Sequence, residues 1–265
     1  NGLWEWERAA SAVPRFGQTL TGSILVPFPV ESCLSGQAPL RSEDIVKEMW
    51  YRLTFNIETG SGRTLLHFGA VDWQTTVYLN GQWLGNHTGG YDGFSFDVTG
   101  YLKANDNELL VYVFDPSDDG VQPEGKQVTW AISDPKNHQY TPSSGIWQTV
   151  WMERVPETYI EDLKIQQAST SSVSVCVRTA ASRQGDEAHI PVRVAVVDPT
   201  SGEIAHSKGL SGDESCMSID VPLAMPWSPD SPVLYDLHVT TEVDAVLGYF
   251  GLRTYALGKV AGKTH

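Results

Sequence analysis

What this 265-residue chain has little of is positive charge: 18 Lys and Arg stand against 32 Asp and Glu, a formal net charge of −14. A field of that sign repels phosphate backbones and anionic bilayers, so neither a nucleic acid nor a membrane is expected as a partner. No run reaches the roughly 18 consecutive apolar residues of a membrane span, and no basic-then-apolar signal opens the chain at Asn1. That suits a mature, processed form. Cysteine is scarce too. Cys33, Cys176 and Cys216 lack metal-ligand spacing, so no zinc site is implied, and an odd count leaves at least one thiol unpaired within the chain.

Helical periodicity is equally hard to find. No convincing amphipathic helix, no Gly-x-Ser-x-Gly elbow and no glycine-rich loop leading into a helix is present, which removes the usual signatures of serine hydrolases and of phosphate or cofactor binding. No cofactor is expected. Gly89-Gly90 and Gly100 read as turn glycines, and His67 and His238 as ordinary sheet residues.

What is there is period-2 alternation in a globular composition, with 41% hydrophobic residues. Tyr51, Leu53, Phe55 and Ile57 alternate with polar neighbours, and Thr75 to Leu79 and Gln82 to Gly85 flank Asn80-Gly81, the pair best suited to a type I′ hairpin turn. Further strands are expected near 22–30, 63–71, 94–99, 107–114 and 145–155. From Val155-Pro156 tryptophans thin out, and short strands are expected near 159–167, 172–178, 190–198, 203–208, 215–221, 233–241 and 248–257. Seven strands in about a hundred residues suit an immunoglobulin-like sandwich. The expected organisation is an all-β first domain over 1–156 and a second over 157–265.

The phase of the second domain's strands bears on its cysteines. Val173, Val175 and Val177 alternate with Ser174, Cys176 and Arg178, while Cys216 shares its phase with Ser218 and Asp220. Both thiols therefore belong to polar faces. A disulfide through the sandwich core is disfavoured, whereas one joining neighbouring strands on an outer face stays open if the Cα atoms are close enough.

Several segments together carry a family likeness. Leu66 to Gly90 (LHFGAVDWQTTVYLNGQWLGNHTGG), Tyr91 to Asp97, Asn107 to Pro116, Gln122 to Gln127 and Tyr140 to Trp151 (YTPSSGIWQTVW) resemble, in order, the sugar-binding jelly roll that opens glycoside hydrolase family 2 enzymes of the β-galactosidase/β-glucuronidase type. Residues 226–237 (PWSPDSPVLYDL) and 244–257 resemble the immunoglobulin-like domain that follows there. The resemblance implies a galactose-binding-like jelly roll and then an immunoglobulin-like sandwich. In the family a Gly-x-Arg such as Gly251-Leu252-Arg253 leads into a catalytic (β/α)₈ barrel. The 12 residues after Arg253 cannot supply a barrel, which needs at least about 200.

Retaining glycosidases work with two carboxyl groups about 5–5.5 Å apart, and in this family both are barrel glutamates. No catalytic residue is therefore assigned here. Asn107-Glu108 mimics the family's acid/base dipeptide but lies in the turn entering a strand, so the expectation is a structural pair. Sugar contacts want an aromatic face beside an amide or carboxylate, a pairing found at Asp72-Trp73, Tyr91-Asp92 and Gln139-Tyr140. Counting five residues back from Ser144, where relatives place an acidic residue that reaches the barrel's active site, gives Gln139. Lys126, in the neighbouring loop, is a candidate for meeting an anionic sugar. Asn86-His87-Thr88 is a glycosylation sequon, which points to a secreted protein.

Three readings follow. The chain is the non-catalytic amino-terminal portion of a family 2 glycosidase, a stand-alone lectin-like protein, or one subunit of a split enzyme whose partner is a barrel chain. In each, the expected ligand is carbohydrate: a β-linked glycan or a terminal sugar.

Overall fold

The computed structural model describes residues 1–37, 41–58, 60–180, 190–198, 202–211, 215–255, 259–260 and 263–264. The chain forms two compact units, 1–154 and 155–265, each taken by itself below. Among the described residues the helical elements are three short 3₁₀ turns, Cys33–Ser35, Thr99–Tyr101 and Thr129–Ile132. The all-β expectation holds.

The strands of the first unit are β1 (Gly2–Arg8), β2 (Gly22–Val26), β3 (Glu48–Phe55), β4 (Arg63–Phe68), β5 (Val71–Asp72), β6 (Gln74–Leu79), β7 (Gln82–Thr88), β8 (Phe94–Asp97), β9 (Asn107–Phe114), β10 (Gly145–Ile146) and β11 (Val150–Val155). A six-stranded antiparallel sheet, β2-β1-β3-β9-β6-β7, faces the three-stranded sheet β11-β4-β8 and the short pair β10-β5. Alternation builds the core: Trp4 and Trp6, Met49 and Tyr51, Val77 and Leu79, and Leu109, Val111 and Val113 point inward against Leu66, Phe68, Ile146 and Val150. Each such side chain contributes roughly 1.5–3 kcal/mol by leaving water.

β1 escaped the sequence reading. Its Trp4 and Trp6 are buried while Glu5 and Glu7 face outward, a clean period-2 pattern compressed into a few residues. Two other expectations were too long. The run 22–30 pairs only to Val26, where a cis peptide joins Pro27, and the run 145–155 is interrupted between Ile146 and Val150.

The outer face of the large sheet holds a second apolar cluster of Leu20, Trp50 and Leu110, with Phe16 edge-on to Tyr78. Beside it Arg52 lies between Glu5 and Glu108, 2.6 Å from each, and Glu108 also accepts the backbone N–H of Gly17. Glu108 is thus a cross-strand ion-pair residue. The strand begins at Asn107 itself, whose buried amide bonds Lys103 and Phe55, so the pair stands in β9 and not in the turn before it. The Asn80-Gly81 hairpin is as expected, with φ of 53° and 80° as a type I′ turn requires.

The second unit has β12 (Tyr159–Ser169), β13 (Ser172–Ala180), β14 (Ile190–Asp198), β15 (Gly202–Ser211), β16 (Ser215–Asp220), β17 (Tyr235–Thr240), β18 (Ala245–Phe250) and a short pair, β19 (Lys259–Val260) with β20 (Lys263–Thr264). Sheets β12-β13-β16 and β15-β14-β17-β18 enclose Val173, Val175, Val177, Val192, Val194, Val196, Leu237 and Val239. This is the seven-stranded immunoglobulin-like layout. Cys176 and Cys216 sit opposite each other in the β13–β16 register and are disulfide-bonded, with Cα atoms 3.9 Å apart. Cys33 is a free, exposed thiol.

The last strand is shifted. It runs over 245–250, where 248–257 was expected; residues 256–258 lie outside the described residues. Beyond Phe250 the chain leaves the sheet, Arg253 lies over the Trp227 ring at 5.1 Å, and its N–H bonds Gln167.

Candidate functional site

On one rim of the first unit the ends of β5, β9 and β10 converge, and with them a set of acids that water would ordinarily hold. Glu31 follows the β2 segment, Asp72 closes β5, and Asp115 follows β9. Ser144, the residue before β10, neighbours two of them, Glu31 and Asp115. Its N–H donates to Glu31 Oε2 at 2.9 Å and its carbonyl accepts from Val30 N–H. Its hydroxyl is buried without a well-formed hydrogen bond, yet it neighbours Glu31 and Asp115 and favours their charged forms. The next residue has to be glycine. Gly145 has φ of 85°, and a Cβ there would fall 2.0 Å from the Tyr51 hydroxyl, which itself accepts from Ile146 N–H.

Burial raises all three acids. Glu31 retains some solvent contact along its chain, but its carboxyl group is enclosed and is pushed up to about 7, first by desolvation, with Asp115 adding repulsion. Asp72 is pushed up to about 6 by the same causes in the same order, and Asp115 is raised as well. Desolvation likewise pushes the Tyr51 hydroxyl up.

Above these acids lies a polar layer. Gln127 receives Ser143 N–H on its Oε1 at 2.5 Å and turns its Nε2 toward Asp72 Oδ2 at 3.4 Å and the Tyr91 hydroxyl at 3.3 Å. The 122–128 loop is zipped to the 139–144 loop: Tyr140 N–H donates to the Lys126 carbonyl at 3.1 Å, and Val128 N–H to the Tyr140 carbonyl at 3.0 Å. Tyr91 and Tyr140 are the exposed elements of the rim, at 56% and 50%. Gly125 lies by both hydroxyls, since a Cβ there would sit 3.4 Å from that of Tyr91 and 3.7 Å from that of Tyr140. Two phenols over a buried amide and carboxylate can stack on a sugar's C–H face and exchange hydrogen bonds with its hydroxyls.

The sequence candidates divide on this geometry. Gln139, half-buried, adjoins Tyr140, and Asp72, Tyr91 and Tyr140 are linked through Gln127 and Gly125; Lys126 joins through its backbone, with its side chain exposed. Trp73 leads elsewhere and lines a separate cavity with residues 119–123. Asp92 stands 3.7 Å from His87. Gly90 does more than make a turn: a Cβ on it would meet Asp72 Oδ1 at 2.6 Å, and its carbonyl accepts from the Trp147 indole at 2.8 Å. Asn86 is exposed on the edge strand β7 and accepts from the Trp83 indole at 3.2 Å.

Glu31 and Asp115 were not foreseen. Each sits among prolines and serines in a stretch that reads as a turn, where an acid needs no further reason. Only the fold shows that both are enclosed.

Comparison with known proteins adds a family-level signal. The sequence pattern "Glycosyl hydrolases family 2, sugar binding domain" matches residues 36–156, and "Glycosyl hydrolases family 2" matches 158–253. A β-galactosidase of Thermoanaerobacter pseudethanolicus is 29% identical over 75% of this chain and 26% of its own length. A β-glucuronidase of Paenibacillus borealis is 27% identical over 84% of this chain and 38% of its own. Among solved structures, the β-glucuronidase of Ruminococcus gnavus in complex with D-glucuronic acid aligns over 97% of this chain and 46% of its own, with a TM-score of 0.73 at 20% identity. The Bifidobacterium dentium β-glucuronidase complexed with coumarin-3-O-glucuronide gives 0.72 at 21% identity, over 97% and 48%. The present chain thus spans well under half the length of the curated relatives it matches.

Proposed function

This chain belongs to glycoside hydrolase family 2 and matches its amino-terminal domains, and from that premise we propose that it serves a β-glycosidase as a carbohydrate-binding scaffold for a catalytic barrel. The observation that carries this reading is the rim on which Tyr91, Tyr140 and Gln139 stand over Gln127 and Asp72. It lies on the domain that matches the family's sugar-binding pattern. Gln139 replaces a carboxylate with a neutral amide, so the hydroxyl contact it makes is weaker than a charge-assisted one. Lys126 then supplies the cationic group of the rim and favours a sugar bearing a carboxylate.

A stand-alone lectin is the weaker alternative. The relatives this chain matches carry these domains within a much longer chain, of which the present one spans 26% and 38% in the two cases above. Two features favour export to an oxidising compartment: the Cys176–Cys216 disulfide and the exposed Asn86 sequon.

The test is titration of the isolated chain with galactose, glucuronic acid and their β-linked oligomers, followed by NMR at the rim. Binding in the millimolar range, equivalent to about 4 kcal/mol, is expected, with most of it lost in Tyr140→Ala and the preferred sugar altered in Gln139→Ala. Absence of any shift at these loops up to tens of millimolar sugar refutes the binding role. Steady hydrolysis of nitrophenyl β-glycosides by the pure chain refutes the non-catalytic one.

A further inference from the structure

Trp73 does not join the rim it was expected to serve. It lines a cavity of about 360 Å³ together with Gln74, Phe114, Pro116, Pro123 and the 119–122 turn. The place is defined by the sheet. Gln74 and Phe114 are register partners at the end of the β6–β9 pair, on the outer face that also carries Tyr78 and Tyr112. The loop from Pro116 to Pro123 folds over that end, held by Asp119 N–H to the Pro116 carbonyl and by the Gln122 amide to the Ser117 carbonyl at 2.6 Å. The same loop, a few residues later, contributes Gly125 and Gln127 to the Tyr91–Tyr140 rim.

We infer that this cavity is a second carbohydrate site, which takes one neutral pyranose ring and needs no barrel to do so. Four properties select that ligand. The volume is at the lower end of the roughly 300–1,000 Å³ of small-molecule pockets, room for a single ring. Two aromatic residues, Trp73 and Phe114, offer faces for the C–H side of a pyranose. The amide of Gln74, exposed at the mouth, can both donate to and accept from ring hydroxyls. Asp119 accepts from hydroxyls and repels a uronate carboxylate; it is already paired with Lys47 at 2.7 Å, so that cation is engaged. The rim with Lys126 and this cavity thus differ in charge preference, which separates the two proposals experimentally.

The experiment is NMR of the folded chain, observing the tryptophan indole N–H signals, titrated with methyl β-galactopyranoside, methyl β-glucopyranoside, glucuronic acid and phenol. The expected result is saturable movement of the Trp73 indole by the neutral glycosides with a Kd in the millimolar range, at least several-fold weaker for glucuronic acid. Trp73→Ala, read at the backbone amides of 119–122, should abolish binding, and Tyr140→Ala should leave it unchanged. If Trp73→Ala does not fold, Gln74→Ala, at an exposed position, should weaken binding several-fold with the fold intact. The inference is overturned by no saturable shift up to about 100 mM neutral glycoside, by tighter binding of phenol than of either glycoside, or by loss of binding in Tyr140→Ala. Failure here with shifts retained at Tyr140 leaves the rim reading standing, and the reverse result separates them equally well.

Discussion

Glu31→Gln should make the first unit more stable at neutral pH, and the gain should vanish in acid. A carboxyl group whose ordinary value is 4.5 is held at about 7 in the folded chain, chiefly because its ionised form has lost water. The folded state therefore binds this proton more tightly than the unfolded state does, and between about pH 4.5 and 7 unfolding releases it. Stability must then fall as pH rises through that window, by at most about 3 kcal/mol from this group. Below pH 4.5 both states are protonated and the group contributes no slope. Glutamine keeps an oxygen to accept the Ser144 N–H but never ionises, so the variant lacks this slope.

Eight of the nine tryptophans belong to residues 1–154, so intrinsic fluorescence during urea unfolding reports the first unit almost alone. The difference in unfolding free energy between Glu31→Gln and the parent should be small at pH 4.5 and grow to about 2–3 kcal/mol by pH 8. In a thermal melt that corresponds to roughly 4–12 °C. Glu31→Ala, which leaves the Ser144 N–H without an acceptor, should lose about 1–3 kcal/mol at pH 4.5. A parent-minus-Gln difference that stays flat within about 0.5 kcal/mol from pH 4.5 to 8 would show that the acid is solvated in solution and refute the enclosed cluster.

Two further expectations concern the scaffold. Cys176→Ser with Cys216→Ser opens a link across a sequence separation of 40, worth about 4 kcal/mol on the chain-entropy argument, so reductant should unfold the second unit, monitored by hydrogen exchange of β13 and β16, and leave the first intact. Asn80→Ala should cost more than Asn80→Gly, by about 1–2 kcal/mol in urea unfolding, because both lose the bonds to Glu108, Tyr101 and Asn107 but only alanine carries a Cβ into φ of 53°; equal costs would refute the turn assignment.

The fold was legible where one periodicity dominated. β9 and β14 fall at 107–114 and 190–198 as read, since valine and leucine alternate there and turn residues bound both runs. β1 was lost because two tryptophans set among acids look like a polar stretch until one sees that the acids share the opposite face. The shifted end of β18 had a different cause: Leu252 is buried and continues the apolar pattern, yet it packs from an irregular segment, and alternation cannot tell the two apart. The disulfide was readable to the level of its face, from the phase of Ser174, Cys176 and Arg178, and its pairing required the β13–β16 register.

The candidate site was legible in its aromatics and in Asp72 and hidden in its other two acids, for one physical reason. An aromatic beside an amide or carboxylate offers a face that stacks next to a group that bonds hydroxyls, so Gln139-Tyr140 and Tyr91-Asp92 could be singled out from sequence. An aspartate or glutamate in a loop has exposure as its default, so Glu31 and Asp115 carry no mark of their enclosure. Yet the acids are what fix the aromatic half. The backbone at 143–146, which continues directly from Gln139 and Tyr140, is anchored by Gln127, Glu31 and Tyr51, with Gly145 shaped to let the Tyr51 hydroxyl pass. A loop that must present one tyrosine and one glutamine at a fixed place cannot rely on a sheet register, since only two of its residues, Gly145 and Ile146, are in a strand. The enclosed acids supply what the register does not: Glu31 accepts the Ser144 N–H at the foot of the loop, and Asp72 accepts from the Gln127 amide that also holds Ser143, so the loop is tied to the sheet by side chains at both of these residues.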